Sequence, residues 1–150
     1  MDLAILLLMS SRLMTEAVHE ALAAKGHPSV RPAHGFAFQL IASSGGASAA
    51  DLAAHLGVSR QAGKQMADEL IVLGYLQVEA DPTDARLRRL VLTRSGEEVI
   101  ALAMRLWEAE ERRWESLIGP KAMEALKSGL RAYLSQSGAL DGPPRLKPVW

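Results

Sequence analysis

Residues 51–77 read DLAAHLGVSRQAGKQMADELIVLGYLQ, and residues 81–98 read DPTDARLRRLVLTRSGEE. The first stretch contains two short helical patterns separated by Gly57, with Ser59 at the N-cap of the second. Ser48 stands three residues before Asp51, the spacing of a capping box at the start of the first helix. Two short helices joined by a brief turn with a glycine predict a helix-turn-helix.

The second stretch predicts a β-hairpin followed by a long helix. Strand patterns cover residues 75–79 and 88–92, with turn residues at 81–84 between them. Thr93 can cap a helix from 94 to about 116, and Pro120 begins a last helix that ends near 136. Apolar periodicity also predicts helices over about 2–24 and 32–42. We therefore expect a mainly α chain with a small β-hairpin.

The composition favours an ordinary globular protein. The 150 residues include no cysteine, three Trp, two Tyr and two Phe, so Leu, Ala, Val, Ile and Met must build the core. The lack of cysteine excludes disulfides and thiol chemistry and is compatible with the cytoplasm, where we expect the protein to act. The apolar run near the N-terminus follows Asp2 rather than a basic segment and is short, so we interpret it as a buried helix without a membrane role.

The zero formal net charge hides two segments of opposite sign. Residues 84–94 contain four arginines and one acid, whereas residues 97–115 contain six glutamates and three arginines. The basic segment coincides with the predicted hairpin tip, where cations can meet phosphate. In the acidic segment, alternation with arginine at helical spacing favours a salt-bridged, exposed face over a catalytic carboxylate pair.

The order helix, helix, helix-turn-helix, basic hairpin and long helix resembles the MarR family of bacterial regulators. The string D-P-x-D-x-R followed by L-T-x-x-G carries the resemblance most specifically, and the strong match covers residues 51–98. The resemblance implies a single domain over 1–150. Within it we expect a winged helix-turn-helix lobe at about 32–95, dimerisation helices at about 1–26 and 96–136, and an irregular tail at 137–150. It further implies a homodimer on a pseudo-palindromic operator, often released by a small ligand.

The second helix of the motif is the candidate recognition helix. We expect it to bury one stripe and to turn a polar face toward a major groove, where Arg and Lys can donate to guanine and Gln can pair with adenine. A solvated polar face is the alternative. The predicted inner stripe is Ala62, Met66, Leu70 and Leu73, and the predicted DNA-binding residues are Ser59, Arg60, Gln61, Lys64 and Gln65. Gly63 within this helix either loosens it or allows a close backbone approach.

The hairpin tip is the candidate wing. Arg86 matches the family arginine that enters a minor groove, and Asp84 matches the acid that orients it. Arg88 and Arg89 alternate across the strand, so at most one shares the side of Arg86. Charges that merely prevent edge aggregation are the alternative. Arg94, at a helix start, either contacts phosphate or faces solvent.

Three other features carry weaker predictions. His34 lies near the junction where family members often bind ligands, so it is a candidate pocket residue, although an ordinary histidine at a helix start explains it as well. Glu16 and His19 could form a metal pair, but a metal site normally needs at least three protein ligands, and we expect neither a metal nor another cofactor. Trp107 and Trp114 lie seven residues apart on one helical face, and this spacing favours a role in core or dimer packing.

Taken together, the sequence predicts a sequence-specific regulator, with repression the expected mode, that binds double-stranded DNA as a homodimer and responds to a small-molecule effector. No catalytic residue is predicted, because the chain lacks G-x-S-x-G, a P-loop and G-x-G-x-x-G, so an enzyme has no supporting motif. The alternative is a winged-helix interaction module that has lost DNA binding, which the neutral charge and Gly63 would favour.

Overall fold

The computed structural model describes residues 2–138, which form six α-helices and two β-strands. The elements are α1 (Leu3–Ala24), α2 (Pro32–Ser44), α3 (Ala49–Leu56), α4 (Arg60–Val72), β1 (Leu76–Ala80), β2 (Arg88–Leu92), α5 (Arg94–Ile118) and α6 (Pro120–Gln136). The predicted mainly α winged helix-turn-helix fold is confirmed. Of the tail predicted at 137–150, residues 137 and 138 form a turn after α6, and the rest lies outside the described residues.

The described chain divides into two compact units. Residues 29–101 form one unit, called the lobe below, and residues 2–28 with 102–138 form the other, called the helical unit. Helices α2, α3 and α4 and the hairpin belong to the lobe. Helices α1 and α6 belong to the helical unit, and α5 begins in the lobe and continues into it.

Local hydrogen bonds explain the two helices of the helix-turn-helix. The Asp51 N–H donates to Ser48 Oγ at 3.1 Å, and the Ser48 N–H donates to Asp51 Oδ2 at 3.0 Å, which completes the predicted capping box. Gly57 ends α3 in the left-handed conformation at φ 66°. Ser59 Oγ then accepts the Ala62 N–H at 3.1 Å and caps α4. The turn between the helices is therefore fixed at both of its ends.

The inner face of α4 differs from the predicted stripe. Gly63, Ala67 and Leu70 are buried, whereas Ala62 is exposed and Met66 and Leu73 are only half-buried. The cause is the absence of a side chain at Gly63: a β-carbon there would lie 2.5 Å from Ala53 Cβ and 2.8 Å from Ala53 Cα. Helix α3 therefore packs directly on the backbone of α4 and turns Ala62 outward.

The core of the lobe joins residues from every one of its elements. Ile41 of α2, Leu52 of α3, Leu70 of α4 and Leu76 of β1 are at most 2% exposed. The rings of Phe38 and Tyr75 pack edge to face with their centroids 5.9 Å apart. Because each element contributes to one core, the recognition helix and the hairpin are held in the same body.

The hairpin is attached to the lobe by its second strand. Strands β1 and β2 pair antiparallel from Leu76 opposite Leu92 to Ala80 opposite Arg88. Ala47, in the loop after α2, adds a further bridge: its N–H donates to the Leu90 carbonyl at 3.1 Å, and the Leu90 N–H donates back at 2.7 Å. The base of the hairpin is therefore fixed on both sides of β2.

The L-T-x-x-G string makes the joint between the hairpin and α5. Thr93 Oγ1 donates to the Gly74 carbonyl at 2.6 Å and accepts the Gly96 N–H at 3.0 Å. The Thr93 N–H donates to the Tyr75 carbonyl at 3.0 Å. A β-carbon at Gly96 would lie 2.2 Å from that same carbonyl oxygen. The string therefore requires a hydroxyl at 93 and no side chain at 96.

The helical unit exposes many large apolar residues. Val18, Leu22 and Met123 are buried, but the following side chains of this unit are at least 39% exposed: Leu3, Ile5, Leu6, Leu8, Met9, Leu13, Met104, Trp107, Leu117, Ile118, Tyr133 and Leu134. Several of them lie on α1, for which the sequence predicted burial. None of the helices within residues 2–138 combines the length and the apolar character needed to cross a bilayer.

Candidate nucleic-acid interface

The first turns of α4 present a polar surface to solvent. Arg60, Gln61, Lys64 and Gln65 are all exposed, and the methyl group of Ala62 lies among them. The side chain of Ser59 is occupied by its cap on the Ala62 N–H, so its role here is to begin the helix. An exposed helix N-terminus with free donors on the side chains around it suits contact with the anionic edge of a nucleic acid.

An acid lies beside one of these cations. Lys64 Nζ is 2.6 Å from Asp68 Oδ2, and both side chains are exposed. An exposed pair at this spacing is weak, about 0.3–0.5 kcal/mol, so a phosphate can replace the carboxylate. Asp68 therefore does not block Lys64.

Hydrogen bonds within the hairpin loop shape its tip. Asp84 Oδ1 accepts the backbone N–H of Arg86 at 2.9 Å, and the Leu87 N–H donates to the Asp84 carbonyl at 3.0 Å. Asp81 accepts both the hydroxyl and the N–H of Thr83, and these bonds, led by that of the hydroxyl, lower the pKa of Asp81. In this structure Asp84 thus holds the backbone of Arg86 and leaves its exposed side chain to project.

The remaining arginines of the hairpin differ in exposure. Arg88 is exposed, while Arg89 is half-buried and its Cδ would lie 3.1 Å from a β-carbon at Gly46. Arg89 Nε is buried and has no hydrogen-bond partner within the described part of the chain. The alternation expected for a strand therefore places Arg89 against the lobe and leaves Arg88 as the freer cation.

Arg94 is the first residue of α5 and is exposed. Its Nε lies 3.0 Å from Glu98 Oε1, one helical turn further along. The pair is open to solvent and weak, so the structure leaves both of the roles predicted for Arg94 available.

The His34 ring is buried and has no solvent exposure, whereas its neighbours Arg31 and Glu69 are exposed and half-buried, respectively. Nδ1 accepts the Arg31 N–H at 3.1 Å, and Nε2 lies 3.5 Å from Glu69 Oε2. The guanidinium of Arg31 also pairs with Glu69. The lobe therefore gives no support to the ligand-pocket role predicted for His34. Sequence reasoning missed Arg31 and did not connect it with Glu69, 38 positions away, because no local pattern links them.

A cavity of about 420 Å³ lies within the helical unit, between α1 and α5. Met14, Trp114 and Leu117 give it an apolar side, and Glu16, Glu20 and Glu110 give it carboxylates. Glu16 Oε1 is 2.7 Å from Arg12 Nε. Within residues 2–138 there is no group of three or more His, Cys, Asp and Glu side chains that could hold a metal ion, so Glu16 and His19 have no third ligand of these types.

The geometry agrees with the comparisons with known proteins. The MarR family model matches residues 30–87, which cover the helix-turn-helix and the hairpin tip and confirm the resemblance expected from the sequence. No curated protein matches the chain.

Solved structures with the same fold extend over most of the chain. The transcriptional regulator Tm0710 from Thermotoga maritima is 25% identical, with a TM-score of 0.68 over 91% of this chain and 96% of that one. The reduced form of MarR from E. coli is 19% identical, with a TM-score of 0.74 over 89% and 97%. MepR from S. aureus bound to ethidium bromide is 18% identical, with a TM-score of 0.64 over 91% and 96%.

Proposed function

We propose, on the premise that residues 30–87 form a winged helix-turn-helix of the MarR family, that this chain is a sequence-specific transcriptional regulator that binds double-stranded DNA in the cytoplasm. One observation carries the proposal. The polar first turns of α4 and the Arg86 tip belong to one lobe, whose core and hydrogen bonds fix both elements. A protein that reads DNA needs this combination of a groove-reading helix and a second, cationic contact.

The residue types assign a chemistry to each contact. In the major groove Arg60 and Lys64 would donate to guanine, and Gln61 and Gln65 would pair with adenine. Ser59 would begin the helix and direct its N-terminus at a phosphate. Arg86 would enter a minor groove, where a narrow A·T-rich stretch concentrates negative potential. Arg88 and Arg94 would contact phosphates, and Arg89 would support the strand.

The helical unit supports the proposal of a homodimer. It exposes many large apolar side chains, and a second copy of the chain would cover them. Twofold pairing would place two recognition helices about 34–36 Å apart, in successive major grooves. The DNA target would then be pseudo-palindromic, and occupancy of a promoter would repress transcription.

A small-molecule effector belongs to the same proposal. The MepR structure with ethidium is an example of a MarR-like fold that binds a small organic molecule. A ligand that binds the DNA-free state of the dimer more tightly than the DNA-bound state would release the operator. The experiment is to add candidate ligands to the protein–operator complex and to measure release against a DNA-free control.

Selection of binding sites from a random-sequence duplex library tests the central proposal. We expect enrichment of an inverted repeat, bound by a dimer in light scattering, with an affinity that falls as salt rises. Failure to enrich any sequence, or a strictly monomeric protein, would contradict it.

The alternative interaction module keeps one supporting observation. The formal net charge is zero, although four of the six glutamates of the acidic stretch, those within residues 108–115, lie outside the lobe. Gly63 no longer supports it, because that glycine serves the packing of α3 against α4. A gel shift on random DNA at low salt separates the two functions: an interaction module gives no shift at any protein concentration.

A further inference from the structure

The recognition helix is tied to the beginning of the lobe by Arg31, His34 and Glu69, a set called the α2–α4 link below. Arg31 is the N-cap residue of α2, His34 lies in the first turn of α2, and Glu69 lies in α4. The Arg31 guanidinium donates to Glu69, and its Nη2 lies 3.3 Å from His34 Nε2. Three side chains from two helices therefore meet at one carboxylate.

The buried ring makes this arrangement specific. Nδ1 of His34 accepts the Arg31 N–H at 3.1 Å, and Nε2 faces Glu69 Oε2 at 3.5 Å. The ring has no exposure to water, so the groups around it must satisfy its polar atoms. Glu69 of α4 is one of those groups, so the buried ring favours a placement of α4 that keeps this carboxylate beside it. A surface ion pair such as Arg12 with Glu16 has no such constraint, because water can replace either partner.

The position of Glu69 along α4 connects the α2–α4 link with the residues of α4 that are proposed to contact bases. Glu69 lies about 13 Å along the helix axis from Arg60, at a rise of about 1.5 Å per residue. A tilt of about 10° around Glu69 would move Arg60 by about 2 Å, enough to lose hydrogen bonds to base edges. Attraction to phosphates depends much less on such a displacement, because it depends mainly on charge.

We infer that Arg31 and His34 position the recognition helix through Glu69, so that the α2–α4 link sets the base specificity of binding rather than its non-specific strength. These are positioning residues: none of them needs to touch a base. The inference rests on the proposed function, since it concerns the selectivity of that same surface.

The test compares variants that change charge in opposite directions. Glu69→Gln removes a negative charge and Arg31→Gln removes a positive one. Affinity is measured for the best duplex selected by the wild-type protein and for poly(dI-dC). We expect the ratio of the two affinities to fall at least about tenfold in both variants. The double variant should lose no more than either single variant, because the residues act as one unit.

Electrostatics alone predicts a different result. Without positioning, Glu69→Gln would strengthen binding to both DNAs and Arg31→Gln would weaken it, and the ratio would stay constant. Glu16→Gln, which breaks the exposed pair with Arg12 in the helical unit, is the matched control and should leave the ratio unchanged. Circular dichroism and thermal unfolding confirm that each variant remains folded under the binding conditions.

The possible outcomes distinguish a failure of this inference from a failure of the proposed function. A wild-type protein without preference for any duplex contradicts the proposed function and the inference together. A selective wild-type protein whose Glu69→Gln and Arg31→Gln variants keep their ratios within twofold overturns the inference alone. If Arg31→Gln destabilises the lobe, amide exchange in α4 of the folded Glu69→Gln variant gives the second measurement. Faster exchange in α4 supports positioning, and unchanged exchange contradicts it.

Discussion

Gly63 of the recognition helix lies so close to Ala53 of α3 that a β-carbon at position 63 would come within 3.0 Å of three Ala53 atoms. Two of those atoms, Cα and N, belong to the backbone and cannot rotate away. Glycine is therefore a packing requirement at this position, where the sequence left open either a loosened helix or a close approach. The close approach also places Gly63 on the buried face of α4 and leaves Ala62 exposed.

Gly63→Ala should destabilise the protein. An alanine within a helix gains about 1 kcal/mol over glycine, but overpacking against a backbone costs about 1–3 kcal/mol, so we expect a net loss of up to about 2 kcal/mol. Urea unfolding measures the change. Gly35→Ala is the matched control, because Gly35 also lies within a helix and a methyl group added there would meet no atom within 4 Å. Equal stabilisation of both variants would contradict the close packing.

Ala62→Asp should abolish DNA binding and leave stability unchanged or slightly raised. Ala62 is exposed in the first turn of α4, where a carboxylate favours the helix by about 0.3–1 kcal/mol but would repel DNA. Thermal unfolding and fluorescence anisotropy measure the two effects. If Ala62 lay on the inner stripe, as the sequence predicted, the buried charge would unfold the lobe instead.

Arg86→Ala should weaken operator binding by about tenfold or more without a change in the unfolding midpoint. The Asp84 carboxylate holds the backbone of residue 86, so alanine there leaves the tip intact and removes only the projecting cation. Anisotropy titrations at several salt concentrations measure both the affinity and its slope. Arg112→Ala, an exposed cation outside the lobe, is the control. A loss of affinity equal to that of Arg112→Ala would contradict the proposed role of Arg86 in the wing.

Asp51→Asn should lower stability at neutral pH by about 0.3–1 kcal/mol, the usual contribution of a carboxylate in the first turn of a helix. Hydrogen bonds from Ser48, the hydroxyl first and the N–H second, lower the pKa of Asp51. A depressed folded pKa stabilises the protein above the unfolded pKa of about 4, and this contribution disappears as pH falls through the folded pKa. The difference between wild type and variant should therefore shrink below about pH 4. Urea titrations at about pH 7 and about pH 3 measure it, and a constant difference would contradict the capping role.

Leu117→Glu should convert the proposed dimer to a monomer. Leu117 is 79% exposed in the helical unit, so a glutamate there is harmless to the isolated fold but costly when a second copy covers it. Light scattering reports the mass, and binding to the selected inverted repeat should weaken because only one half-site is read. Val72→Glu provides the contrast, since Val72 is 86% exposed but belongs to the lobe. A dimer that survives Leu117→Glu would place the interface elsewhere.

Local signals in the sequence are sufficient to predict the order of the helices and strands. Ser48 with Asp51 and Gly57 with Ser59 begin and end helices through contacts within a few residues, and the structure confirms each of them. Strand β2 has the predicted bounds, and β1 begins at Leu76, one residue later than predicted. Such features depend on backbone groups close in the chain, which is why a single sequence reveals them.

The differences between prediction and structure arise from contacts between elements. The predicted inner face of α4 is correct at Leu70 but wrong at Ala62, because the decisive neighbour, Ala53, lies on another helix and meets a residue without a side chain. The contact of His34 with Glu69 could not be predicted, because the two residues are far apart along the chain and no local pattern connects them. Hydrophobic periodicity is calculated from apolar side chains. It therefore cannot predict a contact that depends on a glycine having no side chain.

The hydroxyl of Thr93 joins three parts of the lobe that are separate in the chain. Its oxygen bonds to the turn after α4 at Gly74 and to the first turn of α5 at Gly96, while its backbone follows directly from β2. One hydroxyl thus couples these three parts. We expect a rotation of the beginning of α5 to carry the base of the hairpin and the turn after α4 with it.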